Sequence, residues 1–255
     1  MKRLFAISGM ALLLSASLAS AKELTPKEII TRSLDQQVFR SKGVELRMVM
    51  RLKNKRGETR ERELFTRSKR TDGMSRTLVR FISPADVAGT SFLFMERKDR
   101  DDDQYMYLPA LKAVRRIVGS QKNASFMGSD FSYADLEWGS LEDANYKRHA
   151  DEKLGKADCY VIDSVPHKKD AYSRLRAWVR KADNTLLRLQ FFDMAGKLKK
   201  VLYIKEVKKI GGSLLATRLK MANKQTGHST WLAMTKIKLR DDIDDAQFQV
   251  RALRK

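Results

Sequence analysis

The chain has 255 residues, with 52 Lys and Arg against 31 Asp and Glu, a formal net charge of +21 and one cysteine. A lone cysteine excludes an intramolecular disulfide, so a hydrophobic core has to hold the fold, and a chain of this length can build one. The positive field suits anionic partners such as lipid head groups, lipopolysaccharide or acidic protein faces.

Residues 1–21 read as a secretory signal peptide. Lys2 and Arg3 precede an apolar run from Leu4 to Leu18, and Ala19-Ser20-Ala21 has the small-x-small form of a cleavage site. The run falls short of the roughly 20 residues that a spanning helix needs. No cysteine follows it, so a lipoprotein cleavage box is missing. Residues 22–255 are therefore expected to form one domain in the periplasm, where nucleic acid is not the natural partner. No second apolar segment approaches membrane-spanning length.

Thr25-Pro26-Lys27-Glu28 is a helix start, with Thr at the N-cap, Pro in the first turn and Glu three residues after the cap. Ile29, Ile30, Leu34 and Val38 then share one face, which predicts an amphipathic helix to about Phe39. From Val44 the period changes to two. Val44, Leu46, Met48, Met50 and Leu52 alternate with charged neighbours, as in a strand with one dry face. Hairpin signals follow at Asn54–Gly57, Thr71–Gly73, Asp99–Asp103, Pro109–Lys112, Lys153–Gly155, Ala182–Asn184, Met194–Gly196 and Gly211-Gly212. The pattern predicts a mainly β protein of about ten or eleven antiparallel strands, in a barrel or a strongly curved sheet.

One stretch breaks this pattern. Phe126-Met127-Gly128-Ser129-Asp130-Phe131-Ser132-Tyr133-Ala134-Asp135-Leu136-Glu137-Trp138 crowds aromatic side chains beside a glycine and two aspartates. Ser132 with Asp135 three residues on predicts a short helix near Tyr133. The stretch either covers something apolar as a gate or fills a core as a stopper.

Chemistry-bearing residues are sparse. His149, His167 and His228 lack metal-ligand spacing, and His149 and His167 fall at apparent strand ends, where solvent exposure is expected. Cys159 lies in the apolar run Cys159-Tyr160-Val161-Ile162 and reads as a small buried hydrophobe. The aspartates from Asp99 to Asp103 lack the glycine and distal glutamate of a calcium loop and read as a charged hairpin tip. No phosphate loop, nucleophile elbow or zinc-protease helix occurs. These features predict no enzyme activity, no metal and no cofactor. An envelope hydrolase would need a Ser, a His and a carboxylate to converge in the fold. Basic residues are clustered between Arg47 and Arg70 and between Lys197 and Lys209, which predicts a charged outer face.

Phe81-Ile82-Ser83-Pro84-Ala85-Asp86-Val87-Ala88-Gly89-Thr90-Ser91-Phe92-Leu93, Tyr107-Leu108-Pro109-Ala110, Arg115-Arg116-Ile117 and residues 125–136 together carry a pattern. Trp178-Val179, Asp193–Leu198 and the closing Asp241–Phe248 segment belong to it as well. The set resembles the outer-membrane lipoprotein-sorting proteins. That resemblance implies a LolA/LolB-like fold, an incomplete and strongly curved antiparallel barrel with helices over its concave face. It also implies a soluble periplasmic carrier or chaperone whose concavity takes a lipid, an acylated protein or another apolar ligand. Leu46, Met48, Met50, Phe92 and Phe94 on strands, with Phe126, Met127 and Phe131 from the unusual stretch, are the candidate lining residues. The basic face would meet an anionic membrane or an inner-membrane exporter. The alternative is an envelope module of the same fold that carries no cargo and has a structural or sensory role.

Overall fold

The computed structural model describes residues 23–137, 139–168 and 171–254. The expected signal peptide and Trp138 lie outside the described residues. A first run of strands comprises β1 (Gly43–Lys53), β2 (Thr59–Thr71), β3 (Met74–Ser83), β4 (Ser91–Met95), β5 (Asp103–Leu108) and β6 (Ala113–Ile117). A second comprises β7 (Ala144–Leu154), β8 (Ala157–Pro166), β9 (Arg174–Arg180), β10 (Leu186–Phe192), β11 (Leu198–Ile210), β12 (Ser213–Asn223) and β13 (Ser229–Leu239). All thirteen join one sheet in the order β6-β5-β4-β3-β2-β1-β13-β12-β11-β10-β9-β8-β7. The count exceeds the ten or eleven expected, because the connections after β3, β8 and β12 also return the chain to the sheet.

The order determines the path of the chain. The first meander grows outward from β1 to the edge strand β6. The second begins at the opposite edge, β7, and works inward until β13 pairs with β1, with Met48 opposite Met234. All pairings are antiparallel, and no pairing closes β6 onto β7 among the described residues. The connection between β6 and β7 must therefore pass from one edge of the sheet to the other. In a flat sheet β4 and β9 would stand about 38 Å apart, eight strand spacings of ~4.8 Å. Yet Phe94 of β4 and Leu175 of β9 line the same cavity. The sheet curls around it.

Alternation puts the apolar side chains on the inside of the curl. On β1, Val44, Leu46, Met48, Met50 and Leu52 are buried, while Arg51 and Lys53 are exposed. Helix α1 (Pro26–Asp35) adds Ile29, Ile30 and Leu34 to the same core. Its predicted cap is present: the Glu28 N–H donates to Thr25 Oγ1 at 3.3 Å, and the Thr25 N–H donates to Glu28 Oε2 at 2.7 Å. The helix stops earlier than the expected Phe39. Bonding tightens to Gln37 N–Leu34 O and Arg40 N–Gln37 O, both 2.9 Å, and Val38–Arg40 forms a separate 3-10 turn.

The outer face is not charged throughout. Leu78 and Leu93 form a second apolar cluster there with Ile243 and with Phe248 and Leu253 of the C-terminal turns Asp245–Phe248 and Val250–Arg254. Ser91 Oγ donates to the Leu253 carbonyl at 2.6 Å and fixes the tail against β4.

Candidate functional site

Inside the curl lies a cavity of about 140 Å³ with walls from both meanders. Its deep part is apolar, formed by buried side chains such as Leu64, Leu189, Leu202, Leu219 and Met221. Its open end gathers the half-buried residues Phe39, Met95, Glu96, Asp102, Leu136 and Glu137. A void of about 150 Å³ in an engineered apolar core accepts a benzene ring, so this one accepts a group of similar size.

The eight candidate residues divide. Met48, Met50, Phe94, Phe126 and Phe131 line the cavity. Leu46 and Phe92 belong to the same core but are not on its wall, and Phe92 packs behind Phe126 with ring centroids 4.9 Å apart. Met127 is half-buried against the core. It occupies a left-handed turn with Gly128, with φ values of 52° and 72°, which swings its side chain off the wall. Sequence reasoning missed the second meander's share of the lining, although the inward period of Leu189 and Phe191 on β10 was readable. It also missed Thr66 and Gln104, polar residues on the dry face whose burial no pattern announces.

The connection between the meanders runs over this core. Residues 125–132 fold back on themselves, with the Phe126 N–H donating to the Phe131 carbonyl at 2.7 Å and a bridge between Ser125 and Ser132. The Phe126 ring sits among Phe81, Phe92, Phe94 and Tyr133, at centroid distances of 6.0, 4.9, 6.3 and 5.6 Å. The short helix expected after Ser132 is a 3-10 turn, Ala134–Leu136. It carries the expected reciprocal cap, Ser132 N–H to Asp135 Oδ2 at 2.6 Å and Asp135 N–H to Ser132 Oγ at 3.3 Å.

Both meanders hold this connection. From the first, Arg62 of β2 donates to the Met127 carbonyl, and Gln104 of β5 donates to the Tyr133 carbonyl at 3.1 Å and to Glu137 at 2.6 Å. From the second, Lys200 of β11 pairs with Asp135 and donates to the Asp130 carbonyl at 3.0 Å. Thr230 of β13 donates to Asp130 Oδ2 at 2.7 Å and accepts from the Asp130 N–H at 2.9 Å. Tyr172 donates to Asp135 Oδ1 at 2.7 Å, and burial with that carboxylate pushes the Tyr172 phenol far up.

The titratable groups outside the cavity are structural in their contacts. His149 is not at a strand end but within β7, where its Nε2 lies 2.9 Å from Asp163 beside Arg174 and Arg176. His167 pairs with Asp143 at 2.7 Å in solvent, and His228 pairs with Asp130 at 2.7 Å. Cys159 is fully buried, and burial raises its thiol. The hairpin tip folds Arg97, Arg100 and Arg116 around Asp103, a carboxylate held far down by those hydrogen bonds. No group of three or more His, Cys, Asp and Glu positioned to hold a metal ion occurs among the described residues. Basic side chains lie over aromatic rings elsewhere on the sheet: Arg174 over Phe192 at 3.8 Å, Arg188 over Trp178 at 5.0 Å and Lys220 over Trp231 at 4.9 Å.

The fold has solved relatives. A DUF1329 family protein from Desulfovibrio piger is 31% identical, with a TM-score of 0.83, over 89% of this chain and 97% of that one. A Vibrio parahaemolyticus protein described as an outer-membrane lipoprotein-sorting domain is also 31% identical, with a TM-score of 0.83, over 90% of this chain and 98% of that one. The chain belongs to this family. A family model carrying the description of an uncharacterized protein matches residues 73–255. A LolA superfamily protein from Nitrosomonas europaea shares the fold at 18% identity and a TM-score of 0.73, over 90% of this chain and all of that one. Comparison with curated proteins gives no match.

Proposed function

We propose that this protein is a non-catalytic periplasmic carrier or chaperone that takes an apolar ligand, a lipid or the acyl chain of a modified protein, into the interior of its curled sheet. The carrying observation is the apolar cavity of about 140 Å³ enclosed by both meanders. A water needs about 10–15 Å³ by this kind of measure, so the space exceeds a few water volumes and differs from ordinary packing defects. Each methylene moved into it from water contributes about 0.8 kcal/mol. The family's lipoprotein-sorting member and the LolA-type fold support the same reading.

A long acyl chain is larger than a benzene-sized void, so loading requires something to move. The aromatic connection is anchored by hydrogen bonds to four strands and acts as a fixed stopper. The opening element is then the turn Val38–Arg40, whose half-buried Phe39 borders the open end of the cavity. The basic outer face would approach an anionic membrane or an exporter.

Titration with N-phenyl-1-naphthylamine, a neutral fluorophore that brightens in apolar sites, tests this reading. Saturable binding is expected, weakened at least ten-fold by Leu219→Phe or Leu232→Phe, which narrow the cavity. Absence of saturable binding to the folded wild-type protein contradicts the proposal.

A further inference from the structure

One row of residues runs straight across the outer face of the sheet. Arg51 of β1 stands opposite Trp231 of β13, and Trp231 opposite Lys220 of β12. Lys220 stands opposite Tyr203 of β11, Tyr203 opposite Arg188 of β10, and Arg188 opposite Trp178 of β9. Their chain neighbours Leu232, Leu219, Leu202 and Leu189 line the cavity, so on alternating strands this row points away from it. Cations and rings alternate along the row and stack on one another. Lys220 lies 4.9 Å from the Trp231 ring, and Arg188 lies 5.0 Å from Trp178 and 5.9 Å from Tyr203. Lys205, exposed on β11, lies 5.0 Å from the Tyr203 ring.

The charge on this half of the sheet is not balanced. Residues 186–239, which form β10 to β13, hold twelve Lys and Arg against two acids, Asp193 and Glu206. Asp193 accepts from the Ala195 and Lys197 N–H groups of its own turn, and Glu206 lies beside Lys208 and Arg218. On β1 and β2 the outward arginines have their own carboxylates: Arg47 with Glu63, Arg51 with Glu61 and Arg67 with Glu45. Among the described residues no carboxylate pairs with Arg188, Lys205 or Lys220. Stacking on the rings explains the spacing along the row. It does not explain the missing carboxylates, nor a tryptophan left 37% exposed. Trp231 also sits on β13, the middle strand of the order, on the back of the curl and opposite the open seam between β6 and β7.

We propose that the outer face of β10 to β13 docks on the surface of an anionic bilayer, with Trp231 among the head groups and Lys220, Lys205 and Arg188 over the lipid phosphates. This deepens the carrier reading, on which it rests, and selects the membrane over the exporter. Lipid phosphates supply the negative charge that this face lacks. Indole and phenol rings settle at the head-group level, where one side of the ring is apolar and the polar atom stays wet. Contact through the back of the curl leaves both edges of the sheet and the seam between them free. A carrier that loads or releases a lipid also has to meet a bilayer.

Sedimentation of the mature protein with vesicles at physiological ionic strength tests the inference. Vesicles of phosphatidylglycerol mixed with phosphatidylcholine are expected to bind it, and vesicles of phosphatidylcholine alone are not. Lys205→Gln with Lys220→Gln keeps most of each side chain over its ring, so the fold is kept. It should weaken binding about thirty-fold, roughly five-fold for each cation lost at an anionic surface. Lys147→Gln with Lys156→Gln removes the same charge at the β7 edge and should change binding less than about three-fold, because salt screens charges held away from the lipid. Acyl chains carrying bromine should quench the part of the emission that Trp231→Phe removes. Equal weakening by the two double variants overturns the inference, as does bound protein whose Trp231 is not quenched. Absence of binding to the anionic vesicles overturns it too, and leaves this face to an acidic protein. None of these results touches the fluorophore site in the interior, so the carrier reading stands or falls separately on that titration.

Discussion

Lys200 and Asp135 form an ion pair in the interior, Lys200 Nζ against Asp135 Oδ2, with each side chain 3% exposed. One partner belongs to β11 and the other to the connection between the meanders, so the pair fixes that connection to the sheet. Removing one partner of such a pair leaves an uncompensated buried charge, at a cost of about 3–5 kcal/mol. Lys200→Met is expected to lose that much in urea unfolding. The double variant Lys200→Met with Asp135→Asn should recover part of the loss. Additive losses would mean that the two side chains act independently.

Phe126 is the aromatic centre of the same connection. Phe126→Ala should destabilise by about 3–5 kcal/mol, as expected for a large side chain removed from a packed core. The fluorophore should still bind, since the variant enlarges the cavity. A small stability loss with abolished ligand retention would instead make the segment a gate.

Asp102 gives a pH dependence at the open end of the cavity. Its folded value, about 6, lies above the ordinary carboxylate value of about 3.9. The associated stability is therefore present at low pH and lost as pH rises through about 6. Asp102→Asn should be more stable than wild type at pH 8 by about 1–2 kcal/mol, allowing for solvent screening of a partly exposed group. The gap should close by about pH 4 in thermal unfolding.

Asp163 works in the opposite direction. Burial disfavours its charge, but hydrogen bonds from Arg176, Arg174 and His149 outweigh that and hold it at about 2. Its stabilisation is present above the ordinary value and lost as pH falls through about 2. Asp163→Asn should weaken the fold at pH 7, with a difference from wild type that narrows steadily towards pH 2. A constant difference across that range would contradict the assignment.

Much of this architecture was legible in the sequence. Period-two runs such as Val44 to Leu52, separated by turn residues, marked the strands, and Thr25 with Glu28 marked the helix cap. The pairing of β1 with β13 was not legible, because no local signal links positions nearly two hundred residues apart. The lining of the cavity was read from the first meander and the connection, since Met48, Phe94 and Phe126 stand out locally while Leu189 and Leu202 look like ordinary core. The polar anchors were hidden for another reason. Lys200 lies within a lysine-rich run that reads as a solvated face, and only the crossing of the connection above β11 buries it.

Native mass spectrometry of the protein isolated from the envelope of the cells that make it, followed by organic extraction, tests the central claim most directly. The account predicts a bound apolar molecule, released by Leu219→Phe. A protein that is always empty, and takes up neither lipid nor acylated peptide when these are offered, would contradict it.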